Sequence, residues 1–343
     1  MSETTEPVGG RTRERSLSLV RLLADGRLHS EEAIARALGL TRAGVWKAVV
    51  RARDQWGIEI VAVRGQGYRL AAPLDLLDPG RILSELKAQG QPPPARLEVH
   101  DRIDSTNARL MAEARAGVPA GTVCLAERQS AGRGRRGRVW VSPFGSGLYL
   151  SLLWRSPLGP AALGGASLAA GVAVARVLRD AGVSELALKW PNDLLWKRRK
   201  LGGLLLELGG EAQGPSFLVA GVGINLRMPG ALGRTLDQPW TDLATILGAS
   251  LPGRNALAAR LIAALSSALE TYGTLGLEPF LADWERFDGL RGEPVRLHLG
   301  EQVIEGIHAG LAPDGALRLV TAEGLRSYHA GEVSLRPSEG PAA

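Results

Sequence analysis

The stretch best suited to chemistry is an arginine- and glycine-rich segment, residues 129–140 (QSAGRGRRGRVW). Guanidinium groups are forked donors that neutralise phosphate or carboxylate, and glycine lets the backbone wrap closely around a ligand. The segment does not match the P-loop pattern, which disfavours ordinary P-loop ATP hydrolysis. An Arg-Gly patch for RNA or DNA is the alternative, but strands are expected on both sides. We therefore predict a mobile anion-binding loop, built from Arg133, Arg135, Arg136, Arg138, Gly132, Gly134 and Gly137.

Two further segments bring lysine to the ends of predicted strands. Residues 189–193 (KWPND) follow a strand and turn sharply. A turn alone explains Pro-Asn-Asp, but a lysine, an amide and a carboxylate this close also suit an anion with a metal. Residues 199–203 (RKLGG) open an apolar strand from whose edge Lys200 would project. A hairpin with surface lysines is the alternative for this segment.

Two more segments have a ligand interpretation and a structural one. In residues 221–225 (GVGIN), glycine at a strand end would let a ligand approach the backbone. Residues 104–107 (DSTN) open a helix, where Ser105 or Thr106 would be a routine N-cap. Each of these segments is weak evidence when it is taken alone.

The N-terminal elements form a recognisable pattern. The first fifteen residues are expected to be a loose tail, followed by a helix from residue 16 to 24. A second helix is capped by Ser30, with Ile34, Ala37 and Leu38 facing inward, and a third runs from Thr41 to about residue 55. Residues 58–70 are predicted to form a hairpin. Three helices and a hairpin predict a winged helix-turn-helix.

Basic residues on the third helix predict DNA binding. Its N-terminal residues would read bases in the major groove, and Arg42, Lys47 and Arg51 are placed for phosphates or a guanine edge. The hairpin is expected to add Arg64 to this face. A charged, solvated face in a protein-interaction domain is the alternative.

The remainder of the chain predicts two more domains. After a linker at 71–80, strands are expected at 96–100, 122–127, 147–154, 185–190, 201–208 and 216–222, with helices at 105–116, 161–181 and 254–272. Strict strand–helix alternation is absent, so we expect a mixed or mainly antiparallel sheet with helices on one face. From about residue 291, alternating apolar residues that include Val303 and Ile307 predict a small barrel of about five strands.

Composition fits this organisation. A length of 343 residues predicts two or three domains, and 45% hydrophobic with 22% charged residues is typical of a soluble globular protein. The only cysteine, Cys124, is expected to be buried and inert. We find no apolar run of transmembrane length and no signal peptide in the polar N-terminus, so a cytoplasmic location is expected.

Together and in this order, the DSTN, QSAGRGRRGRVW, KWPND, RKLGG and GVGIN segments resemble those of biotin–protein ligases. With the N-terminal winged helix, residues 16–337 are similar to the family of bifunctional biotin–[acetyl-CoA-carboxylase] ligases and biotin-operon repressors. The resemblance implies a winged helix-turn-helix at 16–72, a class II synthetase-like catalytic domain at 81–288 and an SH3-like barrel at 289–337.

The resemblance also implies roles for individual residues. The catalytic candidates are Arg133, Arg135, Lys200 and Asp193, of which Asp193 would be a metal ligand or would orient the carrier lysine. The adenylate would be bound by Trp140, Lys189, Asn192 and Asn225. Biotin would be bound by Ser105, Thr106, Asn107, Gln129, Arg133, Gly134, Arg135 and Lys200.

The family reaction has two steps. Biotin and ATP, with Mg²⁺, give biotinyl-5′-AMP and pyrophosphate, and a lysine of a biotin carboxyl carrier protein then takes the biotin. The adenylate-bound form of the family dimerises on operator DNA. A lipoate or octanoate ligase and a non-enzymatic biotin-sensing transcription factor are the alternatives; the arginine loop and KWPND favour biotin, and the complete set of segments favours catalysis.

Overall fold

The computed structural model describes residues 8–233, 236, 238–329 and 333–337. The chain divides into two compact units. One comprises Met1–Leu77 together with Pro143–Gly145, and the other comprises Asp78–Ser142 and Ser146–Ala343.

The N-terminal unit contains three helices and a hairpin: α1 (Val8–Leu23), α2 (Glu31–Leu38), α3 (Arg42–Trp56), β1 (Ile60–Val63) and β2 (Gly67–Leu70). Both predicted caps are present, since the hydroxyls of Ser30 and Thr41 accept backbone N–H groups of the first turns of α2 and α3. Gly39 and Gly57 end these helices in the left-handed region, with φ of 59° and 66°. The short α2–α3 connection is therefore that of a helix-turn-helix.

Two sequence predictions for this unit are wrong. Helix α1 begins at Val8 rather than at residue 16, because the arginines and the glutamate at 11–15 are good helix formers. Ala37 is exposed, and the half-buried Ala35 lies nearer the core. The core itself contains the ring of Trp56, whose centroid lies 4.9 Å from that of Phe144, and the inner face of α3, formed by Val45, Ala48, Val49 and Ala52.

The larger unit is built on a seven-stranded sheet in the order β3-β4-β5-β9-β8-β7-β6. The β3–β4 pair is parallel and the other pairs are antiparallel, which confirms the predicted mixed sheet. Strand β7 was not predicted, because it has only four residues and directly follows the Pro-Asn turn. The strands are β3 (Arg96–His100), β4 (Thr122–Ala126), β5 (Gly147–Ser156), β6 (Leu186–Lys189), β7 (Asp193–Trp196), β8 (Arg199–Gly210) and β9 (Ser216–Asn225).

Helices cover both faces of this sheet, not the one face expected. They are α4 (Pro79–Ala88), α5 (Thr106–Arg115), α6 (Ala166–Asp180), α7 (Gly230–Gly233), α8 (Leu243–Leu247), α9 (Arg254–Leu275) and α10 (Glu278–Phe287). Leu153 of β5 packs in the cluster formed by α5, whereas its neighbour Trp154 lies against Gly273 of α9. Adjacent strand residues point to opposite faces. The continuous burial of β5 follows from this arrangement.

One segment, Pro160–Asp180, is long and apolar enough to cross a membrane, contrary to the sequence prediction. Of the most apolar window of this segment, 67% is buried inside the structure. The core helix of a soluble protein passes the same test of length and composition, so this segment is weak evidence for a membrane span.

The C-terminal part is a five-stranded antiparallel sheet in the order β13-β12-β11-β10-β14. Its strands are β10 (Pro294–Leu299), β11 (Gln302–Leu311), β12 (Leu317–Thr321), β13 (Gly324–Tyr328) and β14 (Val333–Pro337). Five strands were expected, and Leu297, Leu317 and Leu319 are buried. Val303 and Ile307 are exposed instead, because the apolar alternation of β11 does not follow its buried face.

Candidate active site and DNA-reading helix

The start of α5 is joined to the start of the arginine loop by hydrogen bonds. Ser105 caps the helix, accepting the Ala108 N–H with its hydroxyl, as the structural interpretation of DSTN predicted. The Thr106 N–H donates to Gln129 Oε1 at 2.9 Å, and Gln129 Nε2 donates to the Ser142 hydroxyl at 3.0 Å. Ser105, Thr106 and Asn107 are all buried. The structure thus brings together the polar side chains that the sequence suggested for biotin.

The arginine loop folds back on itself. The Gly134 N–H donates to the Arg138 carbonyl at 2.7 Å, and the Trp140 N–H donates to the Gly132 carbonyl at 2.9 Å. A Cβ on Gly132 would lie 2.5 Å from the Trp140 carbonyl oxygen, so only glycine fits there. The loop is therefore a closed turn whose two ends meet beside Gln129 and Trp140.

Two arginines of this loop interact with acids. Arg133 Nη2 lies 3.1 Å from Glu207 Oε2, a contact that joins the loop to β8. Burial lowers the pKa of Arg135, and the charge of Arg136 lowers it further, while Asp193 favours the charged form. An arginine remains protonated under all ordinary conditions. Arg135 is thus a partly desolvated cation that feels the field of Asp193.

Asp193 lies between two lysines. Its Oδ2 is 2.9 Å from Lys189 Nζ, and its Oδ1 is 2.7 Å from Lys200 Nζ. Burial opposes the charged form of Asp193, but the charges and hydrogen bonds of Lys189 and Lys200 outweigh it, and the pKa is lowered. The KWPND and RKLGG segments thus form one cluster with a net positive charge.

Trp140 connects this cluster to the arginine loop. Lys200 Nζ lies 5.6 Å from the centroid of the Trp140 ring, within cation–π range. The indole packs on Gly223, where a Cβ would approach it to 2.6 Å. Trp140 Nε1 is buried and has no hydrogen-bond partner among the described residues. A buried donor left without an acceptor is costly, and the indole nitrogens of Trp196 and Trp284 are in the same state.

The glycines of GVGIN make room for side chains of the chain itself, rather than leaving an open approach for a ligand. Gly223 faces Trp140, and a Cβ on Gly221 would lie 2.1 Å from Asn107 Oδ1. The segment matters to the site because it lets Asn107 and Trp140 pack directly on β9.

The amides of Asn192 and Asn225 are used within the protein. Asn192 Nδ2 donates to the Leu204 carbonyl, and Asn225 Nδ2 donates to the Thr241 carbonyl at 3.1 Å. Asn192 thereby ties the KWPND turn to β8. Trp190 in the same turn is fully buried, and its Nε1 donates to the Gly315 carbonyl of the C-terminal part at 3.1 Å.

Among the residues that the structure describes, the acidic groups do not form a fitting magnesium site. Both oxygens of Asp193 accept from lysine, which leaves little attraction for a cation. Elsewhere in the described ranges, Glu98, His100 and Cys124 bring ligand atoms within 4.8 Å of one another. Glu98 is already paired with Arg96, and burial raises the pKa of the Cys124 thiol to about 12. A neutral thiol beside a neutralised carboxylate is a poor metal ligand set.

In the N-terminal unit, α3 presents the predicted basic face. Arg42, Lys47 and Arg51 are exposed, and Arg42 pairs with Glu31 of α2. Arg64 of the hairpin connection is also exposed. Trp46 lies on the same side of α3 with 59% of its surface accessible, which is unusual for a tryptophan.

Two residues of the site were missed at the level of sequence, Ser151 and Glu207. Each is a polar residue inside an otherwise apolar strand, in LYLSLLW of β5 and GLLLELG of β8. That interruption is the signal that could have identified them. Ser151 is fully buried and contacts Thr106 and Asn107, while Glu207 contacts Asn107 and Arg133.

Comparison with known proteins covers all three parts of the chain. Residues 15–69 match the HTH domain family, residues 99–225 the Biotin/lipoate A/B protein ligase family, and residues 291–336 the biotin protein ligase C-terminal domain.

Whole-chain relatives are similar over nearly their full length. The Bifunctional ligase/repressor BirA of Salmonella typhimurium is 41% identical over 99% of this chain and 100% of its own length. The Escherichia coli BirA is 42% identical over 94% of this chain and 98% of its own. The biotin protein ligase from Aquifex aeolicus in complex with biotin and ATP is 31% identical with a TM-score of 0.60, covering 71% of this chain and 100% of that one. The chain therefore belongs to the family of bifunctional biotin protein ligases and repressors.

Proposed function

We propose that this chain activates biotin with ATP to form biotinyl-5′-AMP and then transfers biotin to a lysine of a biotin carboxyl carrier protein. The observation that carries the proposal is the cationic cluster of Lys189 and Lys200 around Asp193, which faces the arginine loop through Trp140. The reaction brings two anions together, and this cluster supplies the charge that the approach requires.

The buried polar network at the start of α5 supports a biotin site. A ureido group has one carbonyl acceptor and two N–H donors, which hydroxyls and amides can satisfy in an apolar pocket. We assign this role to Ser105, Thr106, Asn107 and Gln129. Arg133, Gly134 and Arg135 would cover the ligand, and Lys200 would meet the carboxylate of its side chain.

The first step needs electrostatic assistance and no enzyme nucleophile. As the biotin carboxylate attacks the α-phosphate, Arg135 and Lys200 stabilise the charge that develops on the phosphate oxygens. A preorganised donor of this kind is worth about 3–4 kcal/mol in the transition state. Asp193 acts as the counterion that fixes Lys200 through Oδ1 and Lys189 through Oδ2. With both oxygens engaged, our alternative of a metal ligand is disfavoured. We derive no step through a protein-held Mg²⁺, and a magnesium ion would accompany ATP on its phosphates.

The nucleotide subsite is assigned to the other side of the same cluster. Trp140 would contact the adenine. Lys189 would face the phosphates. The Asn192 and Asn225 amides hold backbone carbonyls, so we assign them to shaping the subsite.

In the second step, an amine of the carrier attacks the acyl carbon and AMP leaves. A closed arginine loop would exclude water and protect the mixed anhydride until the carrier arrives. A lipoate or octanoate ligase remains the second candidate, because the family model that matches 99–225 covers both acyl groups. The similarity of the whole chain to biotin ligases favours biotin.

We also propose operator DNA and a second copy of the chain as partners. The exposed basic face of α3 supports DNA binding, and a two-fold dimer would present two such helices to a symmetric operator. We assign the winged helix-turn-helix to 16–72, the class II synthetase-like domain to 81–288 and the SH3-like barrel to 289–337. The composition supports a cytoplasmic location.

Lys200→Ala tests the first step. We expect the rate of pyrophosphate release with saturating biotin and ATP to fall about 100- to 1,000-fold, since one charged donor is lost from the transition state. Lys197→Ala, which removes an exposed lysine near the same strands, is the control and should keep the wild-type rate. Unchanged pyrophosphate release in Lys200→Ala would contradict the role of this lysine.

A further inference from the structure

Glu207 on β8 joins the two halves of the candidate biotin site. Its Oε2 accepts a hydrogen bond from Asn107 Nδ2 at 2.9 Å and lies 3.1 Å from Arg133 Nη2. One carboxylate oxygen therefore holds both the start of α5 and the arginine loop. Glu207 lies outside the segments DSTN, KWPND and RKLGG.

The contact with Glu207 fixes the orientation of the Asn107 amide. Asn107 Nδ2 donates to Glu207 and to the Leu205 carbonyl at 3.0 Å, and both partners can only accept. Its Oδ1 must therefore point the other way, above Gly221. Strand pairing builds this space, because Gly221 of β9 lies between Leu205 of β8 and Ser151 of β5.

Ser151 transmits this orientation to Thr106. Its hydroxyl lies 2.6 Å from Asn107 Oδ1 and 2.7 Å from Thr106 Oγ1. A hydroxyl has one proton, and an amide oxygen can only accept, so the Ser151 proton goes to Asn107. Ser151 then accepts the proton of Thr106, leaving the 3.2 Å approach of Thr106 Oγ1 to Gln129 as the weaker contact.

The direction of donation thus runs from Thr106 through Ser151 and Asn107 to Glu207. Thr106, with its proton committed, offers only a lone pair to any further partner. Thr106, Ser151 and Asn107 are all buried, so exchange with water does not change the direction of donation. A ligand with an N–H group is the complement of that lone pair.

We propose that Glu207 is a positioning residue for ligand recognition: it orients the Thr106–Ser151–Asn107 chain so that Thr106 accepts an N–H of the ureido ring, and it docks Arg133 over the same site. The inference rests on the proposed function, which places biotin there. Glu207 itself need not touch the ligand. Its effect should therefore appear in biotin affinity and not in the chemistry of adenylation.

The test measures biotin binding by calorimetry and adenylation by pyrophosphate release, using the full-length chain. Glu207→Gln keeps the size of the side chain but removes its charge, so the hydrogen bonds from Asn107 and Arg133 lose the charge assistance of the carboxylate. We expect the biotin Kd to rise at least about 10-fold, the scale of one disrupted buried hydrogen bond. The rate at saturating biotin and the KM for ATP should stay within about threefold of wild type. Glu211→Gln, exposed just beyond β8, is the control and should bind biotin normally.

Ser151→Ala interrupts the same chain one step nearer to Thr106 and carries the test if Glu207→Gln does not fold. It should raise the biotin Kd to a similar extent. The two substitutions together should raise the biotin Kd by less than the product of their separate effects, because both act on the same chain of hydrogen bonds. Multiplicative effects, an unchanged biotin Kd or an equal loss in the saturated rate would overturn the inference. If wild-type protein binds no biotin at all, the proposed function fails first.

Discussion

At the scale of single residues, Asp193 shows how a buried carboxylate stays ionised. Burial alone would raise its pKa, but Lys189 and Lys200 each contribute a charge and a hydrogen bond, and the pKa falls below its ordinary value. The carboxylate is therefore a permanent counterion near neutral pH. Its consequence is a Lys200 ammonium that is both charged and fixed in place beside Trp140.

Cys124 illustrates the opposite outcome, a titratable group kept neutral. Burial, helped by the charges of Glu98 and Glu113, raises the pKa of the thiol to about 12. The thiolate is the nucleophile in alkylation. Because this thiol is both buried and protonated, it should not react. We expect no modification of native protein by iodoacetamide at pH 8 and complete modification in denaturant, measured by mass spectrometry. Rapid alkylation of the native protein would show that the Cys124 thiol is accessible and contradict this prediction.

At the scale of elements, the polar site is carried by strand pairing and by the start of one helix. Ser151, Gly221 and Leu205 are neighbours across β5, β9 and β8, and α5 places Asn107 above them. Lys200 lies at the start of β8, and Asp193 at the start of the neighbouring β7. A shift of one residue in any of these pairings would turn the polar groups to the other face of the sheet.

Helix α9 is fixed to the sheet by a buried ion pair. Arg254 Nη1 lies 2.7 Å from Glu127, and its Nη2 donates to the Gly147 carbonyl at 2.8 Å. We expect Arg254→Leu to lower the free energy of unfolding by about 3–5 kcal/mol, because it leaves a buried carboxylate without its partner. Chemical denaturation measures this change. Arg260→Ala removes an exposed arginine of the same helix and should stay within about 0.5 kcal/mol of wild type.

Capping residues and apolar periods explain why much of the fold could be predicted from the sequence. Ser30 and Thr41 cap α2 and α3 as expected, and the seven-stranded sheet contains all six strands that apolar runs indicated. Strand β7 was not predicted because four residues after a turn have no readable period. The side on which α9 packs depends on tertiary contacts, which no local pattern reports.

The candidate site was predicted from contiguous motifs, and the residues that the prediction missed lie far from those motifs in the sequence. The arginine loop and its lysines are contiguous motifs, so their chemistry could be interpreted directly. Glu207 follows Asn107 by one hundred residues, and Ser151 by forty-four, so only the register of the strands brings them together. The glycines of GVGIN were correctly identified as points of close approach, but the groups that approach are Asn107 and Trp140.

At the scale of the whole molecule, one chain carries a basic helix in one unit, proposed to bind DNA, and in the other a lysine cluster proposed to activate the acyl group. Lys47 and Arg51 are exposed on α3, whereas Lys200 and Asp193 belong to the larger unit. Because the two sets are chemically independent, each function should be removable without the other.

The double variant Lys47→Ala/Arg51→Ala tests this independence. Binding to a mixed-sequence DNA duplex, followed by fluorescence anisotropy at several salt concentrations, should weaken. The slope of log affinity against log salt should become shallower by about 2, one for each lost phosphate contact. Biotin-dependent pyrophosphate release should remain within about twofold of wild type.

The matched control for this variant is Arg36→Ala, an exposed arginine on α2. It should leave the salt slope at its wild-type value. A double variant with an unchanged slope would remove α3 from the DNA interface.

The central claim is that this chain activates biotin and delivers it to a carrier lysine. Mass spectrometry of an apo biotin-carrier domain, after incubation with the protein, ATP and an equal mixture of biotin and lipoate, tests the claim most directly. We predict a mass increase of one biotinyl group on one lysine, dependent on ATP and strongly reduced with Lys200→Ala. An unmodified carrier, or one that gains only a lipoyl group, would contradict the account.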